Sequence, residues 1–229
     1  MRTTLFASSL LALAIAAPSV QAHQAGDIIV RAGAITVQTK ENSSSVKVDR
    51  NSAAVGASDL GGKASVNNDT QLGLNFAYMV TDHWGVELLA ATPFSHDVSL
   101  KGVGALDGKL GSLKHLPPTL SAVFYPLDSK SAFQPYIGAG INYTWFFDES
   151  TTSEAKAKGL NSLNVKNTWG WAAQVGADYM LTDNLMLNGQ IRYIDIDTTA
   201  YVDVAGVARA KVNVDLEPLV YMVGLGYKF

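Results

Sequence analysis

The most regular feature of this sequence is an alternation of large apolar side chains with small or polar ones. Between residues 71 and 80, leucine, phenylalanine, tyrosine and valine take every second position, and mostly glutamine, glycine, asparagine and alanine lie between them. A period of two indicates β-strands, because successive side chains of a strand point to opposite faces. The pattern predicts eight strands, at residues 26–38, 71–80, 84–94, 115–125, 135–147, 169–179, 185–193 and 219–229.

The segments between these strands alternate in length. Short turns are expected at residues 81–83, 127–133 and 181–184, and longer, mostly polar connections at residues 40–68, 101–114, 148–167 and 202–210. The segment Ser153–Gly159 is predicted to form a short helix inside one long connection, with Ser153 as its N-cap and Gly159 as the residue that ends it. Short turns at one end and long loops at the other are typical of bacterial outer-membrane barrels. The predicted fold is therefore all-β, an eight-stranded antiparallel transmembrane β-barrel with short periplasmic turns and long extracellular loops.

The chemistry of the two strand faces distinguishes a membrane barrel from a soluble β-sandwich. A sandwich turns its apolar face inward and its polar face to water. Here one face carries bulky apolar residues and the other carries glycine, alanine, amides and single charges, which suits a lipid-facing wall around a narrow lumen. Aromatic residues such as Trp84, Trp145 and Tyr227 lie near strand ends, where interfacial girdles are expected. We therefore expect outer-membrane lipids as partners.

The two ends of the chain carry targeting signals. Arg2, the mostly apolar run from Leu5 to Ala17 and the small residues around Ala22 predict a secretory signal peptide over residues 1–22. The run is shorter than the ~20 residues that a membrane-spanning helix needs. Residues 23–229 are then expected to form a single barrel domain. The terminal Phe229 resembles the C-terminal signal that the outer-membrane assembly machinery recognises.

Composition narrows the classes of function. Only 16% of the 229 residues are charged and the net charge is −3, which gives no basic footprint for nucleic acid. Cysteine is absent, which excludes disulfides, Cys-ligated zinc and a cysteine nucleophile. His23, His83, His96 and His115 show no ligand spacing, and each is expected on a rim or loop. We therefore expect neither a metal site nor a cofactor.

The inward positions near the short turns are polar. Charges of both signs, Arg31, Glu87, Asp178 and Arg192, fall on this lower inward face. Buried charges are tolerated only when they are paired and hydrogen-bonded. The four side chains are therefore predicted to form a network that closes the lower lumen.

The inward positions nearer the long connections are apolar. They are Ile35, Val37, Leu89, Ala91, Pro93, Ile194, Ile196, Val220 and Met222. Two interpretations stay open. These residues pack as an ordinary core, or they line a cup that admits small hydrophobic molecules.

Pro93 has a further consequence for the wall. Proline cannot donate a hydrogen bond to a strand ladder, and a closed barrel has no edge at which to place it. One interpretation is a bulge that adjusts twist near the rim. The other is a weak seam, a lateral gate through which a solute leaves sideways into the membrane, with Pro117 and Pro118 thinning the same part of the wall.

Two other classes of function are compatible with a small outer-membrane barrel, an enzyme and a structural or adhesive protein. An enzyme would need a converging set such as Ser, His and an acid. Ser95, His96 and Asp97 are consecutive, so on a strand they point to alternating faces, and we expect no catalysis. A structural or adhesive barrel, whose loops act as a receptor for phage, bacteriocin or a host surface, stays open.

Several motifs resemble those of the OmpW family. They are residues 86–94 (VELLAATPF), 115–120 (HLPPTL), 135–143 (PYIGAGINY), 195–199 (DIDTT) and the Gly-Tyr-x-Phe end. The resemblance covers essentially the whole chain after the signal peptide. It implies an eight-stranded outer-membrane barrel with a hydrophobic lumen that passes small apolar molecules by lateral release.

The resemblance also bears on individual residues. The family's lateral opening is associated with the proline that matches Pro93. Its narrow point, associated with a leucine and a tryptophan, maps to Leu89 and Arg192, so the leucine is kept and the tryptophan is replaced. An arginine there argues against an all-hydrophobic gate and favours the charged network. Family members have also been linked to small amino acids, so uptake of these stays an alternative.

Overall fold

The computed structural model describes residues 22–39, 41–43, 46–48, 59–204 and 208–229. The predicted signal peptide, except for Ala22, lies outside these ranges. The described chain forms seventeen strands and a short helix α1 (Ser153–Ala157). The strands are β1 (Ile28–Gln38), β2 (Glu41–Ser43), β3 (Val46–Val48), β4 (Asp59–Gly61), β5 (Lys63–Val66), β6 (Asp69–Met79), β7 (Trp84–Ala91), β8 (Phe94–Lys101), β9 (Gly108–Leu116), β10 (Thr119–Phe124), β11 (Phe133–Thr151), β12 (Leu160–Val165), β13 (Thr168–Met180), β14 (Leu185–Ile194), β15 (Ile196–Val204), β16 (Ala208–Leu216) and β17 (Leu219–Lys228).

Eight of these strands close into a barrel. Their order around the wall is β1, β6, β7, β10, β11, β13, β14 and β17, and β17 pairs again with β1. Every pair is antiparallel. The predicted eight-stranded antiparallel barrel is confirmed.

The outer surface of this barrel is apolar where a soluble protein would be polar. Large apolar side chains that are about half exposed include Leu72, Leu88, Leu120, Ile141, Val175, Ile191 and Leu225. Aromatic side chains border this belt, with Trp169 67% and Trp84 52% exposed. A belt of this kind between aromatic girdles is the lipid-facing surface of a membrane barrel. No helix in the described part of the chain is long and apolar enough to span a membrane.

The long connections contain strands that extend the wall beyond the apolar belt. On one side β5, β8, β9 and the end of β11 pair, and on the other β12, β15 and β16 pair with β2 to β4. In this upper part the apolar face of each strand points inward and the polar face outward, the reverse of the lipid-facing belt. Val98 and Leu100, for example, are buried, while Asp97 and Lys101 are exposed. Water surrounds this upper part, so its apolar side chains turn inward. The sequence prediction described these strands as polar loops because their outer face is polar.

The short helix follows the prediction with one correction. Its N-cap is Thr152, whose hydroxyl oxygen accepts a hydrogen bond from the Ala155 N–H at 3.1 Å, and Ser153 is the first helical residue. Both residue types are good caps, so sequence alone leaves this one-residue ambiguity. Gly159 follows the helix with φ of 84°, a conformation that glycine adopts readily.

The lipid-facing belt generates a test of the orientation. Val223 is 62% exposed on β17, midway along its outer face. An arginine there would face hydrocarbon, so Val223→Arg should lower the free energy of unfolding by about 2–4 kcal/mol in urea titrations in phospholipid vesicles. The matched control Ser95→Arg lies on the polar outer face of β8 and should change it by less than about 0.5 kcal/mol. Equal effects of the two variants would contradict the assignment of the belt.

Candidate functional site

The bottom of the lumen is filled by an apolar floor. It consists of Ala22, Ile29, Ala77, Met79, Val123, Tyr125, Ala132, Tyr136, Met180 and Met186, all of them buried. The chain before β1 belongs to this floor, since the Ala22 N–H donates to the Ser129 carbonyl at 2.6 Å and the Gly26 N–H to the Met79 carbonyl at 2.8 Å. The floor seals the lumen at the short-turn end.

Above the floor lies the first half of a buried charged network. Arg31 donates from Nε to Asp178 Oδ1 at 3.0 Å and from Nη2 to Asp178 Oδ2 at 2.5 Å. The same guanidinium donates to the Tyr125 hydroxyl at 2.9 Å and to Asn75 Oδ1 at 3.2 Å. Its Nη1 lies 3.5 Å from Glu87 Oε2, which links it to the second half of the network.

The second half is built on Glu87 and Arg192. Arg192 Nη2 donates to Glu87 Oε1 at 2.6 Å, and Gln174 Nε2 donates to the same oxygen at 2.9 Å. Arg192 also donates to Gln174 Oε1. The structure thus brings Arg31, Glu87, Asp178 and Arg192 together with equal numbers of charges of each sign, all at most 1% exposed. A buried network of this composition blocks a water-filled path along the barrel.

His23 is a fifth member that the sequence analysis placed wrongly. The prediction is a rim or loop position, but His23 is fully buried, with Nε2 3.0 Å from Asp178 Oδ2 and its ring edge-on to Tyr125 at 4.8 Å. His23 precedes the first strand, so no alternation assigns it a face. Its proximity to Asp178 follows from the chain before β1 folding into the lumen.

The cost of an unpaired buried charge gives a test of the network. Asp178→Leu removes the main partner of Arg31 and should lower the free energy of unfolding by about 3–5 kcal/mol. The double variant Arg31→Met/Asp178→Leu removes both charges and should recover most of that loss, because replacing a whole buried pair by apolar side chains is often neutral. Urea unfolding in vesicles measures both. A double variant as unstable as the single one would show that the pair itself, rather than the unpaired arginine, sets the cost.

An apolar cup lies above the charged network. Its buried members are Ile35, Val37, Leu89, Phe94, Ala172, Ile194, Ile196, Val220 and Met222, and Ala91 packs against them half-buried. All the apolar lumen residues singled out from the sequence are here except Pro93. Phe94 and Ala172 are members that the sequence analysis did not include in the cup.

The difference at Pro93 and Phe94 has a local cause. Thr92 and Pro93 are both exposed, which breaks the alternation that holds from Val86 to Ala90. After this irregularity the phase is inverted, so Phe94 is fully buried where the pattern predicts a lipid-facing girdle residue. Pro93 therefore lies on the outer surface of the wall, and its assignment to the lumen is wrong.

A cavity lies between the cup and the upper apolar core. Its lining is almost wholly apolar and includes Val37, Val98, Leu113, Phe146, Ile196 and Leu216, together with the rings of His96 and His115. The two imidazoles stack at 4.9 Å, and His115 stacks on Phe94 at 5.3 Å. Neither histidine is the rim or loop residue that the sequence analysis expected. They are distant in sequence, and the pairing of β8 with β9 brings them together.

Burial keeps both of these rings neutral. Both strands lie above the lipid-facing belt. Loss of hydration, together with the neighbouring His96, lowers the pKa of His115 to about 3, while the Asp69 carboxylate acts in the opposite direction. Burial also lowers the pKa of His96, although the carbonyl of Asn67 and the carboxylates of Asp69 and Asp97 oppose it.

The wall next to this cavity has a gap in its hydrogen-bond ladder. Pairing of β7 with β10 ends at Leu89 and Thr119, and pairing of β8 with β9 begins at Phe94 and His115. The Thr92 N–H donates to the Leu72 carbonyl of β6 at 2.9 Å, and the next residue, Pro93, has no N–H to donate to the strand on the other side. Because Pro117 and Pro118 also lack an N–H, proline removes donors from both sides of the gap. We call residues 90–93 and 116–118 the seam.

The side-chain amide of Asn142 lies within hydrogen-bonding distance of the carbonyl groups on one side of the seam. Its fully buried amide nitrogen lies 3.0 Å from the Pro117 carbonyl, 3.1 Å from the Pro118 carbonyl and 3.0 Å from Thr119 Oγ1. Thr144 donates to Asn142 Oδ1 at 2.7 Å and fixes the orientation of the amide. Asn142 therefore supplies a side-chain donor to the Pro117 carbonyl, whereas the Pro118 carbonyl also accepts from the Tyr143 N–H of β11 at 3.1 Å.

The depressed pKa of His115 can be measured directly. In protein labelled with ¹⁵N in its histidine rings, the His115 resonances should remain those of a neutral imidazole from neutral pH down to about pH 4, because the pKa is about 3. His83, on a short turn, is a reference resonance in the same spectrum. A His115 titration midpoint near the ordinary value of about 6.5 would contradict its burial in the apolar cavity.

The chain is similar to several known outer-membrane proteins. Outer membrane protein W of Vibrio cholerae is 43% identical over 231 residues, which cover all of both chains. The crystal structure of OprG from Pseudomonas aeruginosa superposes with a TM-score of 0.85 at 50% identity, over 92% of this chain and 99% of that one. A more distant relative from Pseudomonas aeruginosa, named Dibenzothiophene metabolism operon protein PahQ, is 31% identical over 172 residues, 74% of this chain and 76% of that protein.

The family model agrees with these matches. The model of the OmpW family matches residues 24–229, which include all eight strands of the barrel. Together with the lipid-facing belt, the relatives identify an integral protein of the outer membrane. The chain belongs to the OmpW family.

Proposed function

We propose that this protein takes small hydrophobic molecules from the exterior into the upper cavity and releases them sideways, through the seam, into the outer leaflet. The observation that carries the proposal is the position of an apolar cavity beside a gap in the wall and above a closed charged network. Below the cavity, a solute would have to pass the apolar cup and then the buried charges, whereas lipid lies beside it on the other side of the wall. The sideways path is the one that keeps an apolar solute in apolar surroundings.

The height of the seam supports lateral release. Just below it, Leu88 pairs with Leu120 on the lipid-facing side of the wall. Just above it, Ser95 pairs with Lys114 on the polar outer face. The seam thus lies at the upper boundary of the lipid-facing belt, where a released solute enters hydrocarbon directly.

The chemistry of relatives supports the same solute class. The name of the Pseudomonas aeruginosa relative assigns it to an operon for the metabolism of dibenzothiophene, an apolar aromatic compound. A channel role needs no catalytic group. Ser95 and Asp97 are exposed on the outer face whereas His96 is buried, so these three side chains do not converge, and we propose no enzymatic step.

Two partners complete the proposal. Outer-membrane lipids receive the solute, and the assembly machinery reads the C-terminal Phe229, which is 70% exposed and stacks edge-on with Tyr227 at 4.7 Å. Exposure of this terminal ring on the barrel surface leaves it available for recognition during insertion.

Uptake by proteoliposomes tests the route. Partitioning of a fluorescent apolar aromatic into the vesicle membrane is followed for the parent protein, Pro93→Ala and Leu89→Arg. Pro93→Ala supplies a backbone N–H within the seam where the parent has none and should slow transfer several-fold, and Leu89→Arg places a charge beneath the cavity and should abolish it. Pro126→Ala is the matched control, because that exposed proline lies between β10 and β11 at the short-turn end of the barrel, away from the seam and the cavity. Unchanged transfer in Pro93→Ala would refute release through the seam.

A further inference from the structure

The histidine pair in the upper cavity places polar nitrogen atoms in an otherwise apolar lining, which a channel for hydrocarbons alone does not need. A cavity that admits only hydrocarbons would be lined most favourably by hydrocarbon side chains, since a buried polar atom without a partner costs free energy. Yet Nε2 of His96 and Nδ1 of His115 are buried and have no hydrogen-bond partner in the structure. The rings that carry them are 2% and 7% exposed, respectively.

The hydrogen bond on the other side of His96 determines what its free nitrogen can do. His96 Nδ1 lies 2.7 Å from the backbone carbonyl oxygen of Asn67. A carbonyl oxygen can only accept, so Nδ1 carries the proton and donates. Because the ring is neutral, Nε2 then has a lone pair and no proton. His96 therefore presents an acceptor that can be satisfied only by a hydrogen-bond donor.

The cavity itself does not supply that donor. Three threonines line it, and the hydroxyl group of each has a single proton to donate. Thr39 donates to the Val66 carbonyl at 2.8 Å, Thr144 to Asn142 Oδ1 at 2.7 Å and Thr198 to the Lys166 carbonyl at 2.6 Å.

His115 does not supply it either. Its ring lies face to face with that of His96, with 23° between their planes. An imidazole donates and accepts in its own plane, so stacked rings of this kind do not hydrogen-bond to each other. His115 contributes an aromatic surface that holds the His96 ring against β9.

We infer that His96 Nε2 is the recognition point of this cavity, and that it binds apolar molecules carrying one hydroxyl group, such as medium-chain or aromatic alcohols. The apolar lining takes the body of the molecule, and its O–H donates to Nε2. A charged head is disfavoured because the rest of the lining offers it no counter-charge. This inference rests on the proposed function and narrows its substrate class.

Binding and NMR measurements on the full protein in lipid nanodiscs test the inference. The probes are n-octanol, methyl heptyl ether and n-nonane, which have the same number of heavy atoms but differ in donor capacity. In protein labelled with ¹⁵N in its histidine rings, n-octanol should shift the His96 Nε2 resonance upfield, as accepting a hydrogen bond does. The ether and the alkane should leave it unchanged. This measurement needs no substitution.

Two matched variants complete the design. His96→Phe keeps an aromatic ring in the stack and removes the acceptor, so it should weaken n-octanol binding about three- to tenfold relative to n-nonane, the value of one hydrogen bond. His115→Phe makes the same chemical change and leaves the acceptor in place, so it should preserve the preference for n-octanol. Loss of the preference in His115→Phe instead would overturn the assignment to His96.

The remaining outcomes separate this inference from the proposed function. Binding of all three probes without a His96 shift or any preference would refute the hydroxyl site and leave an apolar channel intact. A His96 Nε2 that already accepts a hydrogen bond before any probe is added, and does not change when n-octanol binds, would mean that water satisfies it and would also refute the site. Absence of binding by all three probes would refute both the site and the cavity as a solute path.

Discussion

The constraint on which this structure depends is that backbone polar groups facing lipid must find partners within the protein. Eight strands satisfy it by closing into a ring, so that no edge is left. The seam is a departure from that ladder, and its sequence shows how the departure is tolerated. Pro93, Pro117 and Pro118 have no N–H to leave unpaired, and the Pro117 and Pro118 carbonyls accept from the Asn142 amide. A gap in the wall therefore exists without stranding these polar groups in hydrocarbon.

The requirement that buried polar groups find partners also applies inside the lumen, where the groups concerned are charged side chains. Arg31 and Arg192 would be costly in so narrow a space without Asp178 and Glu87, and each carboxylate is shared among several donors. The result is a network in which no member can be removed alone at low cost. Above this network, the apolar cup, the cavity and the seam lie at neighbouring heights.

Sequence reasoning recovers the parts of this structure that alternation encodes. The barrel strands follow from a period of two, and the polar and apolar layers of the lumen follow from assigning faces by height. The burial of Phe94 is not predicted, because the irregularity at Thr92 and Pro93 reverses which strand positions face the lumen. The alternation itself does not show where such an irregularity occurs. The burial of His23 is not predicted either, because this residue belongs to no strand and has no place in the alternation. The stacking of His96 on His115 and the contacts of Asn142 depend on strand register, which one sequence does not specify.

The position of the seam has a physical reason that joins these features. Along β7 the outer face is apolar and the inner face changes from Glu87 to Leu89 and Ala91, whereas along β8 the outer face is polar and the inner face apolar. The chain changes surroundings between them, from lipid to water, and the irregularity at Pro93 lies at that change. An apolar solute is stabilised inside the wall above this level and outside the wall below it. The gap in the ladder thus occurs at the height where crossing the wall exchanges one apolar environment for another. At this height the proposed lateral release would have its smallest desolvation barrier.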